Sequence, residues 1–207
     1  MPTEVFRNLN EQKQKLLRDK LYETFSKYSF HKININLISK ELGITRTAFY
    51  YYFQDKNDVY EYLVSYQKEK FIKEYIFNRD DKIDFLELLN SLFDFLASYK
   101  NTVYQGFFEE LSYSIDYHDQ SSFLELITKN KDLEHYSHFA GFNKYRMETP
   151  EEKIDITRIL FLVVFNHAIH FYNSDKDLEI AKKELDKKFD FLFNGLIKDQ
   201  YRGENYE

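Results

Sequence analysis

The segment Ile35–Phe53, INLISKELGITRTAFYYYF, leaves the chain little choice of local fold. Ile35, Ile38 and Leu42 fall on one side of a short helix, and Gly43 can turn the chain after it by taking a left-handed conformation. Thr45 is a good N-cap for a second short helix. Ile44 before it can pack on Phe49, four residues into that helix, as a hydrophobic staple. Start, stop and entry angle are thus written into one stretch. The same stretch crowds Phe49, Tyr50, Tyr51, Tyr52 and Phe53 together, and five successive rings of a helix cannot all face one core.

The flanks extend the pattern. Leu17, Leu21, Phe25 and Tyr28 step by four, four and three along an amphipathic helix predicted over about 11–28. Helices over 35–42 and 46–53 follow. Asp55 can cap a fourth over about 56–77, whose Val59, Leu63, Tyr66 and Phe71 share one face and whose Asp58 suits the dipole of its first turn. Further helices are predicted at about 83–99, 103–114, 123–134, 151–173 and 176–198. Thr149-Pro150-Glu151-Glu152 makes a strong start for the fourth of these, and Asn173-Ser174-Asp175 separates it from the last. Five glycines and two prolines in 207 residues suit a chain of long regular segments with few turns. The expected fold is all-α with about nine helices: a three-helix domain over 1–60, then a helical domain over 61–207 entered through the linking helix.

Several classes of function drop out. With no cysteine there is no disulfide framework, thiolate zinc site or cysteine nucleophile. The longest purely apolar run, Ile159–Phe165, is far shorter than the roughly 20 residues of a membrane span, and the N-terminal stretch lacks the apolar core of a secretion signal. A soluble, cytoplasmic protein with no membrane partner is expected. No phosphate-binding glycine loop, nucleophile elbow or His-Glu-x-x-His is present, and pairs such as Glu109-Glu110 and Glu151-Glu152 are adjacent rather than converging on one helical face, so no enzyme is expected. The net charge of −6 hides an asymmetry. Residues 1–60 carry ten Lys or Arg against seven Asp or Glu, while the remaining 147 carry 19 against 28. A weakly basic N-terminal module sits on an acidic body, and only the module can be drawn to a polyanion.

A short helix, a tight glycine turn and a second short helix form the helix-turn-helix unit, whose second helix enters the DNA major groove. Beyond that spacing, INLISKELGITRTAFYYYFQDKNDVYEYLV resembles the DNA-binding signature of the tetracycline-repressor (TetR) family over about residues 11–66. The resemblance rests on the Gly-Ile-Thr turn, the aromatic stretch with Tyr50 and Phe53, and the Asp-Lys that opens the long fourth helix. The sequence departs from the family pattern at Tyr28-Ser29, where the first helix usually ends in glycine, at Ser39, where alanine is common, and at Thr47. The resemblance implies a transcriptional regulator, more often a repressor, that binds an inverted-repeat operator in double-stranded DNA as a homodimer. A small molecule, whose identity the sequence does not reveal, would modulate it from the C-terminal domain.

Residue by residue, Arg46 and Thr47 lie in the first turn of the recognition helix, where an arginine can pair bidentately with guanine and a threonine can offer a hydroxyl or a methyl. Tyr50 matches the family's phosphate-contacting tyrosine, and Lys56 its lysine at the start of the fourth helix, where a cation and free amides suit a phosphate. Asn36 and Tyr51 match positions that often touch DNA in the family. Thr45 can serve as cap and phosphate donor, with the cap the stronger expectation. Phe49 and Phe53, four apart, are expected to face the core with Ile38 and Leu42, while Tyr52 stays unassigned between core and surface.

In the body, rings such as Tyr104, Phe107 and Phe108 suit an apolar ligand cavity, although most body aromatics must be core. The pairs His135/His138 and His167/His170 are each spaced three apart, which puts both rings of a pair on one helical face. His167 and His170 are candidates for ligand contact, and a haem or metal sensor is the alternative class, although structural histidines are the plainer reading and no metal or cofactor is expected. The last two helices carry more apolar surface than one partner helix covers. The resemblance implies that they pair across a four-helix dimer interface, for which Phe165, Ile169, Phe189, Leu192, Phe193 and Leu196 are candidates. A helical co-regulator using its helix-turn-helix for protein contacts is a further alternative.

Overall fold

A computed structural model describes residues 2–75, 83–115, 140–141, 145 and 149–194. These residues form nine α-helices: α1 (Glu4–Arg7), α2 (Glu11–Lys27), α3 (Ile35–Leu42), α4 (Arg46–Tyr52), α5 (Lys56–Tyr75), α6 (Phe85–Ala97), α7 (Val103–Ile115), α8 (Pro150–Tyr172) and α9 (Leu178–Asn194). A 3-10 turn, Phe30–Lys32, precedes α3. A two-residue parallel pair joins β1 (Ile83–Asp84) to β2 (Ala140–Gly141), with Ile83 opposite Ala140. The helical expectation holds apart from that pair, which takes Ile83 and Asp84 out of the fifth predicted helix, 83–99. The helix predicted over 123–134 lies outside the described residues.

Helix starts follow one local device, a side-chain oxygen accepting from a backbone N–H inside the first turn. Asn10 accepts from Lys13 at 2.8 Å, Asn34 from Leu37 at 3.0 Å, Thr45 from Ala48 at 3.1 Å and Asp55 from Asp58 at 2.8 Å. Thr149 and Glu152 complete a reciprocal capping box at the start of α8. Asp177 accepts from Ile180 at 2.8 Å, which moves the start of α9 past the predicted Lys176. Tyr28 closes α2 in an extended conformation, φ −129° and ψ 133°, so the glycine absent from that position is not needed. Gly43 does turn left-handed, at φ 68°.

A helix predicted nowhere, α1, precedes the amphipathic pattern. Thr3 caps it and buried Phe6 anchors it. Four residues are too few to display a period, which is why the pattern missed it.

One continuous apolar core runs from Phe6 to Phe189. Helix α7 lies against α2 so closely that a Cβ added at Gly106 would meet Ser26 Cβ at 2.8 Å, and Ser26 Oγ donates to the Val103 carbonyl at 2.7 Å. Helix α5 runs from the N-terminal bundle to α6. Along it the Leu63 carbonyl accepts from Tyr22 Oη at 2.7 Å, and Gln67 Oε1 accepts from Tyr99 Oη at the same distance. Helix α8 packs on α6 and α7. Among the described residues it is the helix long and apolar enough to cross a membrane, 23 residues with an 18-residue stretch at a mean hydropathy of 1.4. Leu160, Phe161, Val164, Ala168 and Phe171 are nevertheless buried inside the chain, which makes α8 a core helix.

Candidate nucleic-acid interface

The turn between α3 and α4 sorts the crowded rings. Phe49 and Phe53 are fully buried, with ring centroids 5.9 Å apart. Both close the core formed with Ile38, Leu42 and Val59. Tyr52 turns half inward and meets Phe6 edge to face at 5.9 Å, which places the ring the sequence left open. Tyr50 and Tyr51 point outward, 45% and 61% exposed.

The other candidates share that outer surface. Asn36 on α3 and Thr45, Arg46 and Thr47 at the start of α4 are all exposed. Arg46 donates to the Tyr50 hydroxyl at 3.3 Å, and its guanidinium lies 5.9 Å from the centre of the Tyr50 ring. The pair is solvent-exposed, so water competes with it and leaves both groups available to an incoming anion. Lys56 differs. Its ammonium donates to the Phe30 carbonyl at 3.1 Å and sits 4.2 Å from the Phe30 ring centre. An ammonium has three donors, so this anchorage places the charge at the start of α5 and leaves donors to spare. Lys32 and Lys40 add exposed cations around α3, and His31 is exposed beside Lys32.

The body candidates do not form one site. Tyr104, Phe107 and Phe108 do come together: Tyr22 stands 4.8 Å from Tyr104 and 5.0 Å from Phe107, and Phe108 stacks on Tyr99 at 5.4 Å. These rings fill the seam between α2, α5 and α7. His167 sits elsewhere, beside Phe93 at 5.1 Å. Its Nε2 faces the Ala181 carbonyl at 2.8 Å and must donate, because a carbonyl only accepts. Nδ1 then accepts from Lys188 at 3.0 Å. With both ring nitrogens engaged, His167 offers no lone pair to a metal. His170, three residues on, faces solvent. The pair therefore does not converge, because a spacing of three separates two residues by about 60° around the helix, enough to put one inside and one out at the rim of a buried stripe. His135 and His138 lie outside the described residues. Among the described residues no three His, Asp or Glu side chains gather as a metal site.

The dimer candidates divide as well. Phe165 and Phe189 are buried within the single chain and Ile169 is half-buried, whereas Leu192 and Phe193 are exposed. Leu196 lies outside the described residues. Ile159, at the start of the apolar run of α8, is exposed, and so are two apolar residues that sequence reasoning did not single out, Ile156 on α8 and Phe191 on α9. Their signal, apolar side chains off the main stripe of each helix, is visible only once the buried face is known.

Comparison with known proteins fits this geometry. Residues 17–63 match the family model for bacterial regulatory proteins of the tetR family. A TetR family transcriptional regulator from Chloroflexus aurantiacus J-10-FL shares the fold at a TM-score of 0.57 and 20% identity, over 94% of this chain and 97% of that one. The fatty acid degradation regulator FadR from Bacillus halodurans does so at 0.54 and 18%, over 91% and 98%. No curated protein matches in sequence.

Proposed function

We propose, from the match of residues 17–63 to the family model for bacterial regulatory proteins of the tetR family, that this chain is a cytoplasmic repressor of that kind: a homodimer that binds an inverted-repeat operator through residues 1–60 and responds to a small apolar effector in the rest of the chain. The observation that carries this reading is the common exposure of Asn36, Thr45, Arg46, Thr47, Tyr50 and Tyr51 on one turn-helix surface whose two phenylalanines are buried. Arg46 and Thr47 read base edges, while Tyr50, Tyr51 and Lys56 hold phosphates and set the register.

Dimerisation uses the apolar residues of α8 and α9 that this chain leaves exposed, Ile159, Leu192 and Phe193. Phe165 and Phe189 support that face from inside. Two recognition helices about 34 Å apart would then meet one face of the duplex. The effector acts where α7 sits on α2, since a ligand shifts DNA affinity only by preferring one arrangement of head and body. The close approach of Gly106 to Ser26 gives α2 a rigid contact with the body, beside the α5 lever.

Selection of bound duplexes from a random library tests the reading. An enriched inverted repeat supports operator and dimer together, and no enrichment favours a protein-interaction role for the same surface. Tyr50→Ala with Lys56→Ala should weaken binding to all sequences and flatten its salt dependence, whereas Arg46→Ala should relax preference at one base position. Unchanged affinity in the double variant would count against a DNA interface here. A haem or metal sensor finds no support at His167, whose ring nitrogens are already bonded.

A further inference from the structure

Helix α4 has seven residues, too short to be stable alone, and its last carbonyls have no partners within the helix. Two of them are met by Thr3. Its Oγ1 donates to the Tyr51 carbonyl at 2.5 Å and its backbone N–H to the Tyr52 carbonyl at 3.0 Å. The same hydroxyl accepts from the Phe6 N–H at 3.4 Å and so starts α1. The start of α1 is thereby the cap for the end of α4.

One buried ring and one side-chain tie also hold α1 in place. Phe6 plugs the space between Tyr52, Phe53 and Tyr62, with centroids 5.9, 5.0 and 5.2 Å away. Gln14 Nε2 ties the exit of α1 by donating to the Arg7 and Leu9 carbonyls at 2.9 and 2.8 Å. Behind Phe6 a half-open cleft of about 320 Å3, lined by Pro2, Arg7, Gln14, Tyr62 and Tyr66, separates α1 from α2 and α5. The turn of α4 that Thr3 grips is the turn that carries Tyr50 and Tyr51.

We propose that Thr3 is a positioning residue for DNA recognition: α1 is a clamp that sets the orientation of the recognition helix by capping its C-terminal end. Thr3 contacts no base or phosphate in this scheme and acts through Tyr51 and Tyr52. The proposal rests on the DNA-binding reading above. It predicts a loss of discrimination between operator and other DNA, because a loosened α4 keeps its charges but not its register.

Three variants of the full chain test it against an operator selected by the parent and against random duplex. Thr3→Val removes the hydroxyl donor at nearly constant shape. Thr3→Pro also removes the N–H, and the φ of −67° at this position already suits a proline ring. Thr3→Ser keeps both donors. Operator affinity should fall about three- to tenfold in Thr3→Val, the range expected for one hydrogen bond. It should fall further in Thr3→Pro and stay within about twofold of the parent in Thr3→Ser. Affinity for random duplex and its salt slope should not change. Amide hydrogen exchange at Tyr52 and Phe53 should quicken in the same order, a readout that needs no DNA. Parent-like operator binding in Thr3→Val, or equal losses on operator and random duplex, would overturn the clamp. A parent chain that selects no DNA would instead sink the DNA-binding reading, and the clamp's role in recognition with it.

Discussion

In the body, Tyr99 and Tyr172 are buried and each hydroxyl has an interior partner, Gln67 Oε1 at 2.7 Å and the Leu96 carbonyl at 2.6 Å, whereas on α4 Tyr50 and Tyr51 stand in solvent. Burial pushes the phenols of Tyr99 and Tyr172 well above their ordinary range, so they remain neutral hydrogen-bond donors at any physiological pH. The same residue type is thus used in two ways. Inside, the ring fills volume and the hydroxyl satisfies a carbonyl or amide; outside, ring and hydroxyl face water. The abundance of aromatics, 18 Tyr and 21 Phe, is therefore not one signal. What separates the two uses is whether the hydroxyl donates to a buried acceptor within the chain.

This contrast can be broken by substitution. The largest effect is expected from Phe53→Ala, which empties the space between Phe6, Phe49 and Tyr62. It should cost about 3–5 kcal/mol in chemical denaturation. Gly43→Ala comes next. A Cβ there meets nothing within 4 Å, so the cost is the left-handed φ alone, roughly 1–2 kcal/mol. Tyr172→Phe should cost about 1 kcal/mol by removing the donor to Leu96, while Tyr51→Phe should leave stability within about 0.5 kcal/mol of the parent. Equal losses for these two would erase the distinction between inward and outward tyrosines.

The smallest effect is expected from pH. Burial, the largest cause, lowers the pKa of His167. The bond to the Ala181 carbonyl opposes this and the Lys188 cation adds to it, with weaker contributions from Glu184 and His170, while the α6 side presents the neutral Phe93 ring. The folded chain holds this proton less readily than the unfolded chain, so below the ordinary value of 6.5 the unfolded state binds more protons. The contribution of His167 is complete above that value and is lost as pH falls toward the folded pKa. Urea midpoints at pH 8 and pH 5.5 should therefore differ more in the parent than in His167→Gln.

The helix-turn-helix was legible because its determinants are neighbours in sequence. Thr45 caps three residues ahead and Gly43 needs only its own φ. Phe49 and Phe53 are related by one helical turn. The family likeness over residues 17–63 was legible for the same reason. Helix α1 was not, since its stability comes from Phe6 meeting residues about fifty positions away. The Gly106 approach to Ser26 left a trace, a glycine inside a helical pattern, but which helix it would meet depends on packing.

The sequence by itself determined where α2, α3, α4, α5 and α8 start, that the turn between α3 and α4 forms, and that Phe49 and Phe53 turn away from Tyr50 and Tyr51. Those outcomes follow from hydrogen bonds within one turn and from the 3.6-residue period. Tertiary structure alone decided that Tyr52 meets Phe6, that Thr3 caps α4, and that His167 spends both ring nitrogens inside the chain while His170 keeps to the surface. It also decided that Phe165 and Phe189 belong to the chain's own core. Each of these depends on a neighbour distant in sequence, and hydrophobic periodicity tells a residue which face it lies on but not what that face will meet.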